Sequence, residues 1–192
     1  MKRPVKRFAD NESGVVMIEY TLVFMLLMVL TFGLIEFGIA FHQYNAAETA
    51  TSVGARYIAT RGPVVTGISD CGVATSATAG TNCASVSGSS TWTITCNAGS
   101  PSGACQSAVL NALVARMQQF APEIEAQNVQ VVLRGSGLGY VGRGAPVPLI
   151  TVRLTGMTYD FIAIDDLLGF GVAPMPGFDA TLIGEDQNGA GV

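Results

Sequence analysis

Residues Val15 to Phe41 form an apolar run of 27 residues in which the only charges are Glu19 and Glu36. A run this long and this poor in charge constrains the fold more than anything else in the chain. As a helix it is about 40 Å long, enough to cross a hydrocarbon core of about 30 Å with some tilt. The two carboxylates are separated by 16 uncharged residues. That places them about 25 Å apart along the axis, so each can sit near one membrane interface. A carboxylate in lipid is costly, and Glu19 at the head of the span invites a functional explanation. Lys2, Arg3, Lys6 and Arg7 precede the span, so the N-terminus is expected to be cytoplasmic and the remainder outside. A signal peptide fits less well. The run is longer than a usual apolar region, and Gly38-Ile39-Ala40 is a poor cleavage site. On physics alone, a plain anchor whose Glu19 and Glu36 reach for the interfaces stays open.

The chain has 192 residues, which leaves room beyond the span for one modest domain. After Gly14 there are 6 basic residues, all Arg, against 12 acidic ones. Such a surface argues against nucleic acid, because phosphate binding needs clustered cations. Cys71, Cys83, Cys96 and Cys105 are spaced by 12, 13 and 9 residues. No pair has zinc-knuckle spacing, and the lone His42 is distant in sequence, so no metal site is expected. An even number of cysteines in a Gly/Ser/Thr-rich stretch points to disulfides in an oxidising compartment, with all pairings open.

Gly14, Glu19 and Tyr20 form the pattern G-x-x-x-x-E-Y. This pattern resembles the processing site of Flp (type IVb) prepilins. The resemblance implies that an aspartyl prepilin peptidase cuts between Gly14 and Val15, on the cytoplasmic side. It also implies that Glu19 then pairs with the new N-terminus of a neighbouring subunit. The chemistry is coherent. Glycine lets the chain extend into a protease cleft. The cut removes the four basic leader residues and creates an α-ammonium suited to a carboxylate in low dielectric. A second region, Glu36 to Arg61 with its Ala55-Arg56-Tyr57 stretch, resembles TadE-type proteins, the minor pilins or pseudopilins of tight-adherence (Tad) systems. Flp major pilins end soon after the helix, whereas TadG-like relatives are larger, so the length fits the TadE or TadF class.

The resemblance implies a non-enzymatic pilus-assembly protein serving assembly, adhesion or secretion. Its expected partners are the bacterial inner membrane, a prepilin peptidase, and other Tad/Flp pilins and pseudopilins. It would be a single-pass protein with a periplasmic C-terminal domain, or part of an extracellular pilus. The alternative is an uncleaved single-pass anchor presenting a periplasmic binding domain.

Beyond the span, His42 to Arg61 continues the helix with small residues such as Ala47, Ala50 and Ala55, either as a stalk or against the C-terminal domain. Gly62-Pro63 ends it. Val64 to Gly103 reads as a loop-rich insertion with one short hairpin around Thr91–Thr95, stapled by disulfides and burying little core. Trp92 fits packing near a bridge better than a glycan contact. Cys105–Phe120 has helical spacing, with Ser102 or Ser107 as cap. Val129–Arg134 and Leu149–Thr155 read as strands joined by a Gly-rich turn, with Tyr159–Ile162 extending the sheet. Ile164–Phe170 reads as a short helical turn, Asp179–Ile183 as a last strand, and 184–192 as a frayed tail. The expected fold is α+β: a pilin-like transmembrane helix followed by a small antiparallel sheet. Its parts are a leader at 1–14, a helix at 15–62 and a domain at 63–192, with the cysteine insertion at 71–105.

No catalytic constellation or cofactor site emerges. Gly139–Gly144 superficially suggests a phosphate loop, but Ala145-Pro146-Val147-Pro148 follows rather than a helix, so a hairpin turn is expected. Asp165-Asp166 fits a helix cap better than a metal site. No nucleophile-elbow sequence accompanies the serines, and no small-molecule substrate is evident.

Overall fold

A computed structural model describes residues 12–68, 70–72, 77–142, 144, 147–162, 165, 169 and 171–184. The leader up to residue 11, Arg143, Asp166, most of 163–170 and the tail from 185 lie outside the described residues. The chain divides into two units, Met1–Phe41 with Tyr159–Ala173, and His42–Thr158 with Pro174–Val192.

In the first unit, the helix α1 (Glu12–Thr60) carries the apolar run. Its side chains from Val15 to Phe41 are overwhelmingly exposed, as those of a membrane-spanning helix would be. Thr21 and Thr31 donate their hydroxyls to the helix carbonyls of Met17 and Met28, at 2.7 and 3.0 Å. These bonds remove two polar groups that lipid could not satisfy.

The second unit is built on a four-stranded antiparallel sheet, with β1 (Thr93–Asn97), β2 (Val129–Leu138), β3 (Val147–Leu154) and β6 (Phe178–Ile183) in the order β1-β2-β3-β6. Alternation sets the inner face. Val129, Val131 and Leu133 lie opposite Leu154, Val152 and Ile150, and all six are buried. On the other side of the core lie α2 (Ser107–Met117), through Leu110, Leu113 and Met117, and the last part of α1, through Ala47, Ala50, Ala55 and Ile58. Residues 42–60 of α1 are therefore a core helix of this unit. Small side chains let the helices approach. A Cβ added to Gly54 would stand 3.0 Å from the Met117 side chain. On β3 and β6, Arg153 holds Asp179 through two bonds of 2.9 and 3.0 Å. That contact raises the Arg153 pKa, but it is exposed and adds little stability.

The cysteine region departs from the sequence reading. Its strand does not form a hairpin within the insertion. Instead β1 pairs with β2, with Cys96 opposite Val131. Cys96 and Ala98 thereby enter the main core, so the region buries more than its composition suggests. The helix α2 is capped by Gln106 rather than a serine, without a side-chain capping bond. Tyr159 does not extend the main sheet. β4 (Thr158–Asp160) pairs with β5 (Val172–Pro174) in a separate ladder.

The disulfides are Cys71–Cys83 and Cys96–Cys105. Cys71 and Cys83 form a small satellite core with Val141. The Gly-rich turn after β2 is the hairpin connection to β3, and it also docks this satellite. Cys83 N–H donates to Gly139 O at 3.0 Å, Val141 N–H to Thr81 O at 2.9 Å, and Gly142 N–H to Asp70 Oδ2 at 2.7 Å. Trp92, just ahead of β1, fills the seam between satellite and sheet. A Cβ on Gly72 would lie 1.9 Å from Trp92 Nε1, and one on Gly135 2.7 Å from it.

Gly72 has φ +80, and Gly80 has φ +90 with nothing near its missing Cβ. Gly72→Ala is therefore expected to cost the backbone strain that Gly80→Ala also costs, plus displacement of the indole, about 1–3 kcal/mol more. Urea titrations followed by the single tryptophan should show Gly72→Ala, not Gly80→Ala, shifting the native emission to longer wavelength.

Candidate functional site

The N-terminal motif lies on the first turns of α1, where Gly14, Val15, Glu19 and Tyr20 are all exposed. A Cβ added to Gly14 would have nothing within 4 Å, so packing does not demand a glycine there. Its effect is on the backbone. Glycine costs about 1 kcal/mol in a helix relative to alanine, and Gly14 is near the helix start, where unwinding breaks few bonds. The Gly14–Val15 bond is thus among the easiest in α1 to extend. Tyr20 stacks on Phe24 one turn later, with ring centroids 6.2 Å apart.

The two intramembrane carboxylates, alike in sequence, have opposite surroundings. Glu36 is only 7% exposed, and its carboxylate accepts the Ile162 N–H at 2.8 Å. The Tyr159 hydroxyl donates to the Glu36 carbonyl at 3.2 Å. Phe161 sits edge-on to both Phe37 and Tyr159, at 5.6 and 4.8 Å between ring centroids. Glu36 is therefore turned into the protein rather than toward water. Its charge is met by a backbone donor, which a carboxylate removed from solvent requires. Glu19 is exposed, and among the described residues its carboxylate has no hydrogen-bond or ion-pair partner. The aromatic clasp was missed in the sequence because Tyr159–Ile162 alternates like a strand. The available signal was a Tyr-x-Phe pair in an apolar stretch of a chain with one unexplained membrane carboxylate.

Nothing else in the described chain converges like a site. A cleft in the sheet unit is lined by Arg56, Ala59, Thr60, Leu149, Thr181, Leu182 and Ile183, which supply one cation, two hydroxyls and alkyl surface. Among the described residues, no group of three or more His, Cys, Asp or Glu could hold a metal ion. Asp165, half of the Asp165-Asp166 pair, accepts the Gly171 N–H at 2.6 Å within its own loop.

Residues 14–56 match the family model described as TadE-like protein. This segment is TadE-like. The match begins at the glycine of the proposed cut and ends within the core helix of the sheet unit. No curated protein and no solved structure matched the chain. Among the described residues, the helix that carries this segment is long and apolar enough to cross a membrane.

Burial, and secondarily the charge of Glu36, raise the Tyr159 pKa above the usual 10.0. Just above pH 10.0 the unfolded chain has released this proton and the folded chain has not, so stability falls as pH rises through that window. In an alkaline titration read by phenolate absorbance, Tyr159→Phe should remove a late-ionising component. Glu36→Gln should bring that component only part of the way down, because burial is the larger cause.

Proposed function

We propose that the protein is a minor pilin or pseudopilin of a Tad (Flp, type IVb) pilus. A prepilin peptidase cuts it between Gly14 and Val15, and it takes part in pilus assembly, with adhesion or secretion as the downstream role. The observation that carries this reading is the contrast between the two carboxylates. The chain itself supplies a donor for Glu36 but none among the described residues for Glu19, inside a segment that matches a TadE-like family. A charge left unmet in an apolar helix favours a partner from outside.

The mechanism follows from the order of events. The uncut subunit is held in the inner membrane with its leader in the cytoplasm and its disulfide-bearing domain in the periplasm. Cleavage removes the basic leader and exposes the ammonium of Val15. Within an array of pilin helices, Glu19 of one subunit meets the N-terminus of another. Apolar helices slide past one another in lipid with little directional preference, so a single buried ion pair fixes the axial register.

The N-terminus of the protein from native membranes should be Val15, read by intact mass and terminal sequencing. In the same cells, Glu19→Val should leave membrane insertion and cleavage intact but reduce incorporation into pili by an order of magnitude or more. An intact leader, in cells whose peptidase is active, would turn the assignment toward an uncleaved anchor presenting its domain to a periplasmic partner. Normal assembly of the Glu19→Val protein would remove the pairing mechanism while leaving the processing step.

A further inference from the structure

We propose that the outer edge of β6 is a docking site for an extended peptide segment of another protein chain, which joins the sheet as an added strand and sets a carboxylate against Arg56. This inference rests on the sheet unit alone and stands whether or not Gly14 is a cleavage site.

The edge is open, and its backbone is aimed outward. β6 pairs with β3 on one side, and among the described residues no strand pairs with it on the other. Gly184 N–H donates to Pro148 O at 2.8 Å, and Leu182, Ala180 and Phe178 stand opposite Ile150, Val152 and Leu154. Hydrogen-bonded pairs alternate along an antiparallel ladder, so these even-numbered positions bond to β3. Asp179, Thr181 and Ile183 therefore turn their N–H and C=O groups away from the sheet. The register with β3 is unbroken from Leu154–Phe178 to Leu149–Ile183, and β6 contains no proline. Bulges and prolines are two devices that close an edge to pairing, and β6 has neither. The opposite edge is treated differently. Beside β1 the Cys105 sulfur lies 3.9 Å from Thr95 O, and the Cys96–Cys105 disulfide fastens that segment in place.

A cleft accompanies the open edge. The cleft of about 540 Å³ that Arg56 lines at the end of α1 is lined on its other side by Leu182 and Ile183, which are 37% and 46% exposed. An exposed apolar edge strand is a template for another chain. The hydroxyls of the cleft are already engaged, Thr60 donating to Arg56 O at 3.1 Å and Thr181 sharing a 2.8 Å bond with Thr151. A ligand is left with alkyl surface, the outward backbone groups of Thr181 and Ile183, and one guanidinium. Backbone groups repeating along an edge, beside a cleft for side chains, are what an added strand reads, and a compact small molecule matches them poorly.

Charge selects the occupant. Among the described residues Arg56 has no carboxylate partner, and the ion pair of the sheet is Arg153–Asp179. The incoming strand supplies the carboxylate, at its end beside Leu182 and Ile183. At the other end Asp179 disfavours a second acid. A second copy of β6 fits less well, because its one acid, Asp179, is already held by Arg153.

The probe is the peptide acetyl-Glu-Val-Thr-Val-Thr-Val with a fluorescein at its C-terminus, titrated with the full-length protein in nanodiscs and read by anisotropy. Binding is expected below about 1 mM, and none at that concentration would overturn the proposal. Replacing the peptide's Glu by Lys should weaken binding about five- to tenfold, and Arg56→Gln should erase that difference. N-methyl groups on alternate peptide amides, placed in the two possible phases, should abolish binding in one phase and leave it in the other. Thr181→Pro removes an outward donor but no bond to β3, so it should weaken binding about tenfold or more while the Trp92 emission stays put. If that variant unfolds, the two methylated peptides still decide. Equal behaviour of the two phases, or indifference to the Glu–Lys exchange, would overturn the proposal. Binding that appears only after residues 185–192 are removed would assign the edge to the chain's own tail. Binding that appears only when a self-associated form is diluted would assign it to a second copy. Either result would also overturn the proposal.

Discussion

A carboxylate on a helix that faces lipid must be met by a donor, or it dictates where the helix can go. That constraint organises the first unit. The chain has two such groups and treats them differently. At Glu36 the donor comes from the same chain, through the Ile162 N–H, and beside it Phe161 packs edge-on against Phe37 and Tyr159. At Glu19 the helix surface is open. The first arrangement ties a distant part of the sequence to the helix. The second leaves a charge available to a neighbour. The same residue type at two points of one helix thus has one intramolecular engagement, at Glu36, and one open position, at Glu19, where the proposed pairing would form.

The second unit depends on a different economy of side chains. Its sheet has a narrow inner face of Val, Ile and Leu, and two helices must reach it. Ala47, Ala50 and Ala55 on α1 and the absent side chain at Gly54 make the approach possible. The larger Leu110, Leu113 and Met117 on α2 fill the remaining space. The same small residues explain why this part of α1 could not be assigned from sequence. An alanine-rich surface serves equally for packing against a sheet and for packing among other helices. The structure places it in the core of the sheet unit.

Much of this was legible beforehand. The α+β class followed from one long apolar run and from the period-two alternation of Val129–Arg134 and Leu149–Thr155, which became β2 and β3. The helix at 107–117 followed from its Leu and Val spacing. Most of what failed shared one cause: pairing partners are not local. Thr91–Thr95 reads as a strand, which forms two residues later at Thr93–Asn97, but nothing near it says that it joins Val129–Leu138 across more than thirty residues. Tyr159–Ile162 likewise reads as a strand extending the sheet, and only the fold reveals that the strand is Thr158–Asp160 and pairs with Val172–Pro174. The disulfides were equally silent, since spacing permits every pairing. Gly139–Gly144 was read as a hairpin turn, and its described part lies between β2 and β3, but its second task, offering backbone groups to Thr81 and Cys83, needs the folded satellite to be seen. At the candidate site, the motif residues were visible in the sequence, and the asymmetry between Glu19 and Glu36 was not.

That asymmetry bears on how a membrane helix can be both stored and assembled. If both carboxylates were unmet, the helix would be hard to hold in lipid alone. If both were satisfied internally, it would carry no directional feature by which one subunit could sense the height of another. Satisfying Glu36 within the chain leaves Glu19, among the described residues, without an internal partner. Glu19 lies within about one and a half turns of Val15, close enough to the membrane surface to reach water or headgroups while the protein is alone. In the proposed array, neighbouring helices would replace that surface, the carboxylate would lose its solvent, and the attraction of an opposite charge would become large. The proposed pair would therefore be weak in storage and strong in assembly. Such a contact would give register to an array without binding subunits to one another prematurely in the membrane.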